Sequence, residues 1–183
     1  MNIPASHATE SLGPVLFTTA LPTGGNDNLA IVAEAGKTLR MNTDIRRRIF
    51  LTMMAGEDYL DAFEKLMKMK VPGEQEREYV RVLIECCLQE NVYNPFYTAL
   101  GNKLCEFSHS HRITFQYSLW DKLKVVEDLN VKQSSNLARL ISYLMAQGGL
   151  SLIILKVRKC IYCATYLSKR HESIFLLLRP ICI

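Results

Sequence analysis

Near the C-terminus, Cys160 and Cys163 are separated by two residues, with His171 and Cys182 further along, and together they offer four potential zinc ligands. A structural zinc site of this kind normally joins two closely spaced ligand pairs. Only one pair is present, so accidental cysteines are favoured and no metal is expected. Cys86 and Cys87 are adjacent within a helical pattern and point to different parts of one helix surface. With Cys105 they read as reduced thiols rather than as a disulfide framework. His109 and His111 flank Ser110 in what reads as a turn, Ser108 to His111, and need no ligand role. The sequence contains no phosphate-cradling glycine loop, no nucleophile elbow and no HExxH string. Neither a catalytic residue nor a cofactor is therefore expected, and the chain reads as a non-enzyme.

Two basic strings are candidates for contact chemistry. Arg46, Arg47 and Arg48 lie together at the start of a helical segment. The favoured reading is a solvent face opposite Ile45 and Ile49. The second reading is an RNA-contacting patch, which lacks the interleaved aromatics of a strong RNA signature. Arg112-Ile113-Thr114-Phe115 fits the loose pattern of docking peptides for protein phosphatase 1, but such peptides must be extended and exposed, whereas Phe115 reads as a helix core residue. The net charge of +4 is concentrated at one end. Residues 41–157 carry 15 basic and 14 acidic side chains, whereas residues 158–183 carry 5 basic and 1 acidic. Strong nonspecific nucleic-acid binding by the central part is thus not implied. No basic region precedes the short apolar stretch at Val15, Leu16 and Phe17, so a secretory signal is not expected. The apolar run Ile174 to Leu178 is far too short to span a bilayer, and no membrane association is expected.

The elements that would position these groups are helices. Residues 1–27 are rich in Pro, Gly, Ser and Thr without a sustained period and read as a disordered lead-in; residues 28–40 read as a weak helix interrupted by Gly36. From Met41 the apolar residues recur at helical spacing. Thr43 is an N-cap for a first helix with Ile45, Ile49, Phe50 and Met53, and Gly56 ends it. A second begins near Asp58 and carries Tyr59, Leu60, Phe63, Leu66 and Met67, until Val71-Pro72-Gly73 stops it. Glu74 opens the third, with Tyr79, Val82, Leu83, Cys86 and Cys87 facing inward. Asn94-Pro95 opens the fourth, with Phe96, Tyr97, Leu100, Leu104 and Phe107. A fifth carries Phe115, Leu119, Trp120, Leu123 and Val126. After a polar turn from Asn130 to Ser135, a sixth carries Leu137, Leu140, Ile141, Leu144 and Met145 and ends at Gly148-Gly149. Leu150 to Val157 reads as a further buried helix. No segment alternates as a strand would. The predicted fold is all-α, a helical-repeat domain of stacked antiparallel helix pairs over residues 41–157, followed by a basic and apolar tail at 158–183.

Several of these stretches resemble MA-3 domains. Gly56-Glu57-Asp58-Tyr59-Leu60-Asp61-Ala62 is similar to the family's turn and helix start, and Leu66-Met67 with Val71-Pro72 to the end of that helix. Longer strings resemble the nucleolar MIF-4G-domain-containing protein family: Met41 to Arg47, Asp61 to Leu66, Cys86 to Glu90, Tyr93 to Tyr97 and Thr114 to Lys122. The resemblance covers residues 38–157 and stops at Val157, which suggests a divergent or truncated C-terminus.

The resemblance implies a HEAT-like, monomeric protein-binding scaffold in the nucleus and nucleolus. It would engage a DEAD-box RNA helicase of the initiation factor 4A type, with RNA or pre-ribosomal particles as further partners, in small-subunit ribosome biogenesis and rRNA processing. An RNA-binding helical domain and a truncated form with little independent activity are the alternatives. In helicase-binding members, acidic residues in a late inter-helix turn meet the partner. The matching residues here are Glu127 and Asp128, with Lys132 where an Asp is typical. Asp58 and Asp61 are read as helix caps first and partner contacts second.

Overall fold

A computed structural model of the chain describes residues 44–156. Thr43, the lead-in, the weak helix at 28–40, the tail at 158–183 and the Cys160, Cys163, His171 and Cys182 set lie outside the described residues. Six α-helices make up the described part, without a strand among those residues: α1 Asp44–Met54, α2 Tyr59–Lys68, α3 Arg77–Gln89, α4 Pro95–Phe107, α5 His109–Lys124 and α6 Val131–Ala146. Short 3-10 turns at Gly73–Glu76, Val126–Asp128 and Leu152–Lys156 punctuate them. Helices α1, α3 and α5 pack neighbour on neighbour as one layer, and α2, α4 and α6 as the other. Helix α3 also packs on α4 and α6, so it is the hub, and eight of its side chains are buried. Tyr97, Phe50, Phe96 and Phe115 are the largest fully buried side chains. Removing one such side chain from water stabilises the fold by about 1.5–3 kcal/mol, so these aromatics set the spacing of the layers.

The local signals explain most boundaries. Asn94 is an extended N-cap whose side chain accepts a hydrogen bond from the Phe96 backbone N–H, and Pro95 takes the first helical position. Helix α6 ends in a left-handed Gly148, φ +76°, with Gly148 N–H donating to the Met145 carbonyl and Gly149 N–H to that of Leu144. This glycine-capped reversal satisfies carbonyls that a helix end otherwise leaves open.

Several expectations are corrected. The Ser108–His111 segment is not a turn. Ser108 alone is extended, its Oγ accepts from the Ser110 backbone N–H, and α5 starts at His109, leaving His111 buried inside the helix. The polar stretch after Asn130 is likewise helical. Asn130 and Gln133 form a reciprocal capping box, so the polar residues after Asn130 are the first turn of α6. Glu74 lies inside the 3-10 turn Gly73–Glu76 and does not open the third helix, which begins at Arg77; the reversal before it is made by Lys70, at φ 44°. The last segment is a 3-10 turn over Leu152–Lys156, with Leu150 and Ile154 buried but Leu152 and Ile153 exposed. Leu60 and Phe107, expected in core stripes, are 43% and 62% exposed. Both lie on the flank of a buried stripe that is narrower than the apolar pattern, and the residue buried at the head of α2 is the smaller Ala62.

Candidate functional site

The first acidic edge is the head of α2. Gly56 lies so close to this helix that a Cβ there would sit 2.6 Å from the Ala62 Cβ, which fixes the turn from α1 into α2. Asp58 is the N-cap, its Oδ1 accepting from the Asp61 backbone N–H at 2.7 Å. Asp61 Oδ2 accepts from the Glu57 backbone N–H at 2.9 Å and from Lys65 Nζ at 2.7 Å. The bond from Lys65, then that from Glu57, lowers the Asp61 carboxyl below its ordinary value. Both carboxylates are therefore held by their own helix and its turn.

The second edge, between α5 and α6, differs. Glu127 and Asp128 are exposed in the 3-10 turn Val126–Asp128, and neither makes an ion pair among the described residues. The turn itself is fixed. Asp128 N–H donates to the Val125 carbonyl at 3.1 Å and Leu129 N–H to that of Val126 at 3.2 Å, while Leu129 packs on the core. Lys132 does not turn back to these acids; its Nζ donates to Asn91 Oδ1 at 3.2 Å, across to the α3–α4 turn.

The arginine run is dispersed. Arg46 Nε meets Glu78 Oε2 at 2.5 Å, Arg47 lies 3.6 Å from Asp44, and Arg48 is exposed. A helix turns successive residues by about 100°, so these three do not share one face; half-buried Ile45 and buried Ile49 mark the inner side of α1. Phe115 is fully buried within α5, which removes the extended docking-peptide reading of Arg112 to Phe115. Cys86, Cys87 and Cys105 are buried free thiols, each raised by burial, which makes them poor ligands and poor nucleophiles. No group of three His, Cys, Asp or Glu among the described residues could hold a metal ion.

Behind the second edge lies a polar centre that the sequence did not reveal. Glu90, 7% exposed at the end of α3, accepts a hydrogen bond from Tyr97 Oη at 2.9 Å. Burial pushes its carboxyl up to about 7, against a smaller opposing influence of the Tyr97 bond. Asn136 of α6 is 3% exposed, and its Nδ2 donates to the Cys87 carbonyl at 3.1 Å and the Glu90 carbonyl at 2.8 Å. Alongside, Tyr93 hydrogen-bonds Thr98, stacks on Tyr143 with centroids 5.6 Å apart, and lies 6.0 Å from the Arg139 guanidinium carbon. The available signal was a polar Asn one residue before an apolar helical stripe, but only its neighbour in space shows that it closes α3.

The MA3 domain family model matches residues 45–151. The chain is 51% identical over 126 residues to Nucleolar MIF4G domain-containing protein 1 of Homo sapiens, covering 69% of this chain and 15% of that protein. It is 32% identical over 133 residues to Suppressor of glycerol defect protein 1 of Schizosaccharomyces pombe, covering 68% and 17%. A Pre-mRNA-splicing factor CWC22 homolog of Caenorhabditis elegans is 32% identical over 113 residues, covering 62% and 13%. The matched region is thus a small part of each relative's length. The match of the family model across α1 to α6, on a fold of stacked helix pairs, means that this chain belongs to the MA3 domain family.

Proposed function

We propose that the chain is a non-catalytic protein-binding scaffold of the nucleolus. Its Glu127–Asp128 turn would engage a DEAD-box RNA helicase of the initiation factor 4A type, within small-subunit ribosome biogenesis and rRNA processing. The nucleolar compartment is supported by relatives from human, mouse and Drosophila melanogaster whose names carry it. Names that refer to pre-mRNA splicing support a broader role in RNA-processing assemblies.

The observation that carries the partner reading is the pair of exposed carboxylates on a rigid turn, with no cation among the described residues neutralising them. Such an edge attracts a basic surface and orients it on approach. Lys132 would repel a basic partner if it faced that surface, but its bond to Asn91 draws its ammonium toward α3. The test is a binding titration of purified helicase against the chain and its Glu127→Lys, Asp128→Lys double variant. The expected result is a loss of at least about tenfold in affinity, concentrated in the association rate and steeper at low salt. Unchanged affinity would remove this edge from the interface.

A further inference from the structure

Apart from both acidic edges, a groove of about 520 Å3 opens between α3 and α5, lined by Arg77 and Arg81 from α3 and by His109, Ile113, Tyr117 and Asp121 from α5 among others. The two helices run in the same direction here. Their first residues, Arg77 and His109, lie at one end, and the ion pair between Glu85 and Lys122 joins them near the other. Both N-terminal, electropositive helix ends therefore lie at the Arg77 end.

The charges around the groove are unequally neutralised. Arg77 is exposed and makes no ion pair among the described residues. Arg81 shares the single carboxylate of Glu78, at 2.6 Å, with Arg46 of α1. The acidic groups at the far end are engaged: Asp121 by Lys124 at 2.7 Å and Glu85 by Lys122. Glu74 is exposed in the turn that precedes Arg77, and half-buried Glu76 next to it acts on buried His111 and Tyr79. Neither Glu74 nor Glu76 lines the groove. Two arginine side chains thus stand on one wall, Arg77 without an ion pair among the described residues and Arg81 on Glu78, and Tyr117, 59% exposed, faces the same groove, held by an edge-to-face contact with Trp120 at 5.4 Å.

We infer that the α3–α5 groove binds single-stranded RNA, with Arg77 and Arg81 on successive phosphates and Tyr117 under a base. Arginines one helical turn apart are separated by about 6 Å along the axis, a span that suits neighbouring phosphates of an extended strand. Arginines beside an exposed aromatic ring supply the two contacts, phosphate charge and base stacking, that hold single strands with little sequence preference. Ser110 and Ser118 on the same wall supply hydroxyls for a sugar 2′-OH. The arginines of α1 lacked an aromatic neighbour in sequence; here the fold brings one to the arginines of α3. This inference does not depend on the helicase reading, since Glu127 and Asp128 take no part in the groove.

The test is fluorescence anisotropy of a labelled oligouridylate, about ten nucleotides long, titrated with the full chain over a range of salt. Arg77→Ala with Arg81→Ala is expected to weaken binding about tenfold or more at low salt and to flatten the salt dependence of log K by about 1.4, the value for two phosphate contacts on a single strand. Tyr117→Ala is expected to weaken it at least about fivefold with the salt slope unchanged, and Tyr117→Phe to restore it. Amide chemical shifts of the unmodified chain provide a reading that needs no variant: residues 77–81 and 109–117 should move on adding the oligonucleotide. Unaltered affinity in the double arginine variant, or shifts confined elsewhere, would overturn the inference. So would an oligoglutamate peptide that binds with the same arginine dependence and is not displaced by RNA, or an oligothymidylate of equal length that binds more tightly.

Discussion

The two acidic edges carry the same formal charge but support it in opposite ways. At the head of α2, steric contact between Gly56 and Ala62 fixes the turn, and Asp58 and Asp61 are occupied by backbone N–H groups and Lys65. Between α5 and α6, the Glu127 and Asp128 carboxylates make no hydrogen bond or ion pair among the described residues. The helix after them is secured from behind by polar contacts, Asn136 to the end of α3 and Lys132 to Asn91. A carboxylate that caps a helix can be read from local sequence but has little freedom to meet a partner. One held out on a turn supported by other residues is available for binding, and its sequence signature is only acidity.

The support behind the second edge gives the largest expected effect. Glu90 has an ordinary carboxyl value near 4.5 when the chain is unfolded and about 7 when folded. The folded state therefore binds more protons between these values, so stability falls as pH rises from about 4.5 to about 7 and stays reduced above that. The full loss is about 3 kcal/mol. Glu90→Gln keeps an oxygen to accept from Tyr97 and should remove this slope, raising the melting temperature at pH 8 relative to the parent while leaving it nearly unchanged at pH 4. A parallel pH profile in parent and variant would mean that Glu90 is ionised at no cost in the fold.

Asn136→Ala tests the same support without titration. It leaves the Cys87 and Glu90 carbonyls without their Asn136 partner beneath α6, at a cost of about 2 kcal/mol in denaturant unfolding. Hydrogen exchange should then quicken first at the start of α6 and the end of α3, not at α2. Uniform loss of protection across all six helices would show instead that the two edges unfold as one unit.

The difference between the edges also explains what could be read in advance. Asn94-Pro95, Asp58 and the glycines after α6 act over three or four residues, so sequence alone locates them. The apolar repeats likewise placed the six helices and most of their packed sides, but not the last segment, which is a 3-10 turn, nor Leu60 and Phe107, which are exposed. Ser108 and the polar run after Asn130 misled because the same residue types favour turns and helix starts; a cap is told from a turn only by whether the next residues continue as a helix. Glu90, Asn136 and the Arg77–Tyr117 groove were illegible for another reason. Their partners lie 7 to 49 residues away along the chain, and nothing in a polar side chain's identity says which neighbour in space will meet it.

At the first edge, Asp58→Ala removes the N-cap of α2 and should cost about 1 kcal/mol. Asp58→Asn separates the cap from the charge, because an amide oxygen still accepts from the Asp61 N–H. Stability close to the parent, with helicase affinity also unchanged, is expected. Lost affinity at unchanged stability would move the partner contact from the second edge to the first.

The smallest expected effect on folding belongs to the residues with the largest expected effect on binding. Glu127→Lys with Asp128→Lys removes no hydrogen bond or ion pair identified among the described residues and buries nothing, so unfolding should shift by less than about 0.5 kcal/mol. Reversing two charges on a fixed turn nevertheless converts attraction for a basic surface into repulsion at the same place. A variant that melts as the parent does but has lost whatever helicase affinity the parent shows would separate scaffold from contact. A large drop in melting temperature would show that these carboxylates, like Asp58 and Asp61, are part of the helix ends, and the contrast between the two edges would disappear.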